Sequence, residues 1–373
     1  MRKLTAALTL IALAACGREE APRSGETPAP VDAVEVAAVD QFGPVQGTVT
    51  GLALWTHPTL PFNGLVIAAG EAGLVAYNIE DGAEVVRDDR APLDGVSIAY
   101  LGRGPTAQGF AATRTASGDA RFRFYVIDNV SREFSLLTMT AGGQRHGARG
   151  FCLGRPKDGD GLALYEMTGS GWRATALTVG DGGVSTGAAT EGKHKGGFNR
   201  CVVDELDGAV FAIDATGDVY RIEAGAAPAA PLTSTGVKNP SAIALALNGL
   251  TEGGATDECC GQIAVLDGAN GVVSLYDHED GHALGAIRMK ASFDVEGVAA
   301  ASALGFGYGN FGAIYRDGIV ALATSEPQSA VRLAPLNGVM DALKQPLGET
   351  ANPRDLAPQE EDDRVIDIDV VKP

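Results

Sequence analysis

The sequence predicts an all-β chain folded as a six-bladed β-propeller with four-stranded blades. Three observations carry this prediction. First, the stretch 51–82, GLALWTHPTLPFNGLVIAAGEAGLVAYNIEDG, holds three short apolar runs at 52–55, 65–69 and 74–79, and a fourth follows Asp81-Gly82 at 84–87. Each run is too short for a stable helix and is bounded by Pro, Gly or Asn, the pattern of strands joined by tight turns. Second, this four-part unit recurs at a spacing of roughly 40–55 residues, a period typical of propeller blades. Third, fifty Gly and eighteen Pro among 373 residues suit a fold of many turns, and the runs of Val, Ile, Ala and Leu carry no long helical period.

In chain order, the first element is an export signal. Met1-Arg2-Lys3 supplies positive charge, and residues 4–15 form an apolar run ending in small side chains. That run is too short to remain as a membrane-spanning helix. It closes with Leu13-Ala14-Ala15-Cys16-Gly17, which resembles a bacterial lipobox, with Cys16 the lipidated first residue of the mature chain. An ordinary signal peptide containing a Cys is the alternative. Gly17 is not acidic, so the expectation is a lipid anchor in the outer membrane or on the periplasmic face of the cell envelope. Residues 16–32 then read as a solvated tether rich in Pro, Glu, Gly and Ala. The propeller is expected over 33–373.

Six repeats follow. Inner strands open as GLALWTHP from Gly51, GVSIAYLG from Gly95, ARGFCLGR from Ala148, NRCVVDEL from Asn199, PSAIALAL from Pro240 and VEGVAAAS from Val295. Second strands are equally regular, from GLVIAAG at Gly64 to GIVALAT at Gly318. The sixth repeat shows only three clear strands. Two spare strand-like segments, 34–42 and 365–371, are available to complete it, with 346–363 as a loop reaching back. Such closure ties the chain ends together and limits exposed sheet edges. Helical character is confined to a turn or two near 339–344.

The formal charge of −18 argues against a nucleic-acid partner. With Cys16 lipidated, Cys152, Cys201, Cys259 and Cys260 remain, and an exported chain favours oxidised thiols. Cys152 and Cys201 occupy matching positions in consecutive inner strands, so a bridge between them is the first choice. Cys259 and Cys260 are then either a vicinal disulfide or reduced. No His stands at ligand spacing around the cysteines, which argues against a metal site there. The Gly-x-Ser-x-Gly motif is absent, so no Ser/His/Asp set is in view. Lys193-His194-Lys195-Gly196-Gly197 and Asp267-Gly268-Ala269-Asn270-Gly271 read as a solvated loop and a hairpin turn.

The chain is also similar to the β-propeller phytases over roughly residues 48–335. The likeness rests on Ala53-Leu54-Trp55-Thr56-His57-Pro58, Leu65-Val66-Ile67 and Gly73-Leu74-Val75-Ala76-Tyr77-Asn78-Ile79, followed in order by Phe124-Tyr125-Val126-Ile127-Asp128, Gly150-Phe151-Cys152-Leu153, Val202-Val203-Asp204-Glu205, Glu296-Gly297-Val298 and Leu304-Gly305-Phe306-Gly307. The resemblance implies calcium-dependent hydrolysis of phosphomonoesters such as phytate, with Ca²⁺ held by carboxylates and phosphate clamped by Lys and Arg. Position by position, this chain departs from that pattern. The resemblance implies acidic or basic residues where Thr50, Gly51, Ser97, Ala99, Asn199, Asn239 and Ser241 stand, and a Tyr at Arg149. What it retains is Arg114 as a phosphate contact and Asp204, Glu205 and Glu296 as metal ligands. Such a set holds at most one Ca²⁺ tightly. The expectation is therefore a monomer that is either a phytase-like hydrolase acting on a phosphorylated small molecule or a non-catalytic binding propeller.

Overall fold

A computed structural model describes residues 32–116, 120–139, 147–157, 161–180, 182–223, 228, 230–248, 261–325, 328–348 and 351–356. Cys16, the tether, Cys259, Cys260 and the segment 365–371 lie outside these residues. Two strands open the described chain, β1 (Val34–Ala37) and β2 (Asp40–Gln46). The first antiparallel meander is β3 (Val49–Trp55), β4 (Leu65–Gly70), β5 (Gly73–Asn78) and β6 (Glu84–Asp88). The second is β7 (Leu93–Leu101), β8 (Gln108–Thr115), β9 (Phe122–Ile127) and β10 (Phe134–Met139). The third is β11 (Gly150–Gly154), β12 (Leu162–Thr168), β13 (Gly171–Gly180) and β14 (Gly183–Lys193), and the fourth is β15 (Arg200–Val203), β16 (Val210–Ile213), β17 (Asp218–Ile222) and β18 (Thr233–Ser234). The fifth comprises β19 (Ala242–Leu247), β20 (Gly261–Asp267), β21 (Val272–Asp277) and β22 (Ala283–Lys290). The last run is β23 (Ala301–Gly307), β24 (Ile319–Thr324), β25 (Gln328–Pro335) and the helix α1 (Leu336–Leu343).

These strands form a propeller-like ring of five sheets, and the grouping differs from six separate four-stranded units. Three sheets have four strands, one has five and one has eight. The eight-stranded sheet arises where β10 pairs in parallel with β14 through Thr138↔Gly183 and Met139↔Val184. The long β13–β14 hairpin reaches the outer edge of the second meander and covers it, which removes an exposed edge. The five-stranded sheet arises because β1 pairs in parallel with β22. The segment 34–42 thus does two jobs: β1 extends the fifth sheet, while β2 pairs antiparallel with β25 and completes the last one.

Burial follows the ring. Each boundary between consecutive meanders holds its own apolar cluster. Trp55, Leu65 and Ile67 meet Tyr100 and Tyr125 at the first boundary, and Ala303, Ile319 and Leu333 meet Leu52, Val66 and Val75 where the last sheet returns to the first. The innermost strands touch in turn, β3 to β7, β7 to β11, β11 to β15, β15 to β19, β19 to β23 and β23 back to β3. They run in the same sense. At their starting ends Thr50 meets Leu93 and Gly95, and Arg200 meets Ser241. At their finishing ends Thr56 meets Tyr100, and Arg155 meets Gly102. Gly51 is needed for this packing, because a Cβ there would stand 2.6 Å from the Val96 amide nitrogen. Helix α1 buries Leu336, Val339 and Met340 against the boundary between the fifth and last sheets, and it ends at Lys344 in the left-handed region with φ 58°.

Candidate functional site

The innermost strands point alternate side chains at the axis, as strand geometry requires. Leu52 and Leu54, Ile98, Leu153, Leu245 and Phe306 are among the residues that wall an axial channel of about 170 Å³. Apolar side chains supply most of the lining residues, yet polar atoms make up about half of the lining surface. Its titratable side chains, Tyr100, Glu205 and Tyr308, gather at the finishing end of the inner strands.

At the finishing end, the residues immediately after the inner strands converge. Asp204 is 1% exposed; its Oδ1 accepts the Leu206 amide at 2.8 Å, and its Oδ2 lies 3.4 Å from Nε2 of His278 without a hydrogen-bond partner. Glu205 lines the channel and is 8% exposed, and its Oε2 has no hydrogen-bond partner. Burial pushes the Glu205 carboxyl up to about 8; Arg155 opposes this shift and Asp204 adds to it. Arg155 donates from Nη2 to the carbonyls of Gly102 (2.8 Å) and Leu356 (2.7 Å), and desolvation lowers its pKa. Burial, then the nearby Glu205, holds the Tyr308 phenol well above its ordinary range.

The chain after α1 crosses this end. Pro353 lines the channel, and Arg354 is fully buried between the second and first meanders. Its guanidinium lies 5.0 Å from the Trp55 ring and 4.8 Å from the Tyr100 ring. It donates from Nε to Thr56 O (2.8 Å), from Nη1 to Ala107 O (2.5 Å) and from Nη2 to Asn129 Oδ1 (3.2 Å).

At the starting end, polar side chains join neighbouring sheets. The Thr50 hydroxyl lies within hydrogen-bond reach of the Ala69 and Leu93 carbonyls and accepts the Gly95 amide. Further along the inner strands, the Ser97 hydroxyl accepts the Leu153 amide at 2.9 Å. Arg114 pairs with Asp94, donates to Ala148 O at 2.6 Å and lies over the Phe151 ring. Arg200 donates to the carbonyls of Ser241, Arg149 and Asn199, and Arg149 donates to Gly196 O and Asn199 Oδ1. Glu296, in the connection leading to β23, pairs with Arg332 at 2.8 Å while its own side chain is 84% exposed. Nearby on β12, burial lifts the Glu166 carboxyl to about 7 against the pull of Arg173 and Arg114.

The structure therefore separates the residues that the sequence singled out. Asp204 and Glu205 stand at one end of the channel, and Arg114 and Glu296 lie towards the other, each in an ion pair. Cys152 on β11 and Cys201 on β15 are joined by a disulfide, with Cα atoms 5.6 Å apart. Among the described residues, one group of three metal-capable side chains has its ligand atoms within 4.8 Å: Asp277, Asp280 and His282 in the β21–β22 hairpin. Asp280 and His282 there are exposed, and Oδ1 of Asp280 lies 2.6 Å from Nδ1 of His282.

Sequence reasoning missed Arg155, Tyr308, His278 and Arg354. The first two carried a usable signal. Aligning the repeats on the residue after each inner strand places Thr56, Arg155, Asp204, Asn248 and Tyr308 at equivalent positions facing one end. Arg354 carried none, since it sits in a Pro- and acid-rich stretch. No known protein family's sequence profile matches the chain, and no curated protein matches it.

Proposed function

We propose that this chain is a propeller of six four-stranded blades whose axial channel binds a small ligand without catalysing phosphate release. The eight-stranded sheet counts as two blades joined at their outer edges, and β2 supplies the fourth strand of the last blade. One observation carries the functional reading. At positions where the phytase resemblance implies metal or phosphate ligands, Thr50, Ser97 and Arg114 are committed to hydrogen bonds or ion pairs between neighbouring sheets. The retained acids do not converge, so among the described residues they do not gather the six to eight oxygen ligands that Ca²⁺ takes. Arg114, Arg149 and Arg200, at the starting end, offer a phosphorylated ligand no uncommitted clamp, because each donates to carbonyl groups of neighbouring segments.

The test is phosphate release from phytate by the purified protein, with calcium and with chelator. The expected result is release at the buffer rate in both. Calcium-dependent release abolished by chelation overturns the reading and restores the hydrolase. The same proposal places the protein at the cell envelope, lipid-anchored through Cys16 as a monomer. A Cys16→Ser variant is expected to leave the membrane fraction, and continued fatty-acid labelling of that variant contradicts the anchor.

A further inference from the structure

We infer that the axial channel takes a small organic cation with an apolar body, an amine seated against the Glu205 side chain. This inference rests on the binding reading above and names its ligand class. Two observations carry it. The first is the shape and chemistry of the space: about 170 Å³, walled by residues such as Leu54, Ile98, Leu153 and Leu245. An apolar cavity of about 150 Å³ is enough to hold a benzene ring, so the body is about that size. The second is that Glu205 is the one carboxyl among the lining residues and is more than nine-tenths buried, and its Oε2, which has no accessible surface, has no hydrogen-bond partner, so the carboxyl turns towards the channel to meet the amine.

An unpartnered buried carboxyl oxygen is costly, and a ligand donor relieves that cost. A charged amine does so with a charge-assisted hydrogen bond, stronger than a neutral one. Phe151, Phe306 and Tyr308 line the same space, and aromatic faces favour cations. The acidic chain, at −18, also draws cations and repels anions.

None of the charged and titratable groups facing Glu205 hydrogen-bonds its Oε2. Arg155 commits Nη2 to Gly102 and Leu356 while its Nε has no hydrogen-bond partner, and Asp204 commits Oδ1 to the Leu206 amide and turns Oδ2 towards His278. Tyr100 shares its hydroxyl with Thr56, and Tyr165 and Tyr308 are phenols held above their ordinary range.

Calorimetric titration of the purified protein with 2-phenylethylamine, 2-phenylethanol and 3-phenylpropionate, at a pH of about 8.5, tests this. The amine is expected to bind about tenfold or more tightly than the alcohol, with the acid weakest. Glu205→Gln is expected to weaken the amine about ten- to hundredfold and to leave the alcohol within about threefold, the scale of one hydrogen bond to a charged group. The comparison of the three ligands on the wild type makes the test without a variant. If the alcohol or the acid binds as tightly as the amine, or Glu205→Gln leaves the amine unchanged, the cation inference falls while the channel stands as a binding site. If none of the three binds, the inference falls. Phytate hydrolysis, by contrast, would overturn the binding reading itself.

Discussion

Arg354→Ala is expected to lower the stability of the protein by about 3–5 kcal/mol, the scale seen when a buried charged network loses one member. The guanidinium joins three chain segments that are far apart in sequence, through Thr56 O, Ala107 O and Asn129 Oδ1. Truncation takes the guanidinium donors from Thr56 O and Asn129 Oδ1, while Ala107 O keeps the Asn129 Nδ2 donor at 3.1 Å, and each buried group left unsatisfied costs about 1–3 kcal/mol. It also removes the filling between Trp55 and Tyr100, where the cation meets both rings. Desolvation lowers the pKa of this cation, so the site is held together by its hydrogen bonds and ring contacts. Arg354→Lys is expected to recover only part of the loss, because one ammonium does not reproduce the planar fork. The check is the urea midpoint of both variants. A change below about 1 kcal/mol for Arg354→Ala would show that the segment 351–356 is merely draped over the channel end.

The second large effect is on pH dependence. Glu205 is lifted from 4.5 to about 8 and Glu166 from 4.5 to about 7, both by burial. Between the ordinary and the lifted pKa, the folded protein holds a proton that the unfolded chain has released. Stability therefore falls as pH rises through that window, at a slope of up to about 1.4 kcal/mol per pH unit for each group. Asp88 acts at the opposite limit. Its hydrogen bond from Arg90 holds it near 2, so its contribution is present above 3.8 and lost as pH falls through about 2. The stability optimum is expected near pH 4–5 rather than at neutrality. Glu205→Gln removes the largest of these proton affinities. The variant should match the wild type near pH 4 and exceed it in urea midpoint near pH 8. A wild-type midpoint that stays level or climbs between pH 5 and 8 would contradict the buried-carboxyl assignment.

Much of this architecture was legible in the residues. The apolar runs of 51–82 became β3, β4 and β5 with nearly the expected limits, because Pro, Gly and Asp-Gly turns leave short apolar segments little choice but strands. The matching phase of Cys152 and Cys201 pointed to a pair that the ring does bring together. The segment 34–42 was legible as a strand, but not its division between two sheets. Nothing in Val34–Ala37 names β22 as its neighbour; that pairing follows from where the ring places the two edges. The β10–β14 junction was invisible for the same reason, since two residue pairs along an outer edge leave no periodicity.

The candidate site was less legible than the fold. Asp204 and Glu205 adjoin in sequence, yet they face different neighbours, one a turn amide and His278, the other the channel. Grouping them with Glu296 and Arg114 depended on resemblance alone. The ring sets those two apart, because β8 ends and β23 begins at the end of the channel opposite to where β15 finishes. Arg354 escaped because its partners are backbone carbonyls and aromatic faces, which no spacing rule registers.

The central claim is that the channel binds a ligand and holds no calcium cluster, and a calorimetric calcium titration of the purified protein tests it most directly. A cluster needs several carboxylates around one small space, and charge count sets calcium affinity. At most one tight calcium site is expected, with chelation shifting the melting temperature only slightly. A bound ion would stabilise the fold by about 2.7 kcal/mol at a hundredfold excess over its dissociation constant. Three or more tight sites, with a large loss of stability on chelation, would contradict the account and return the protein to the hydrolases.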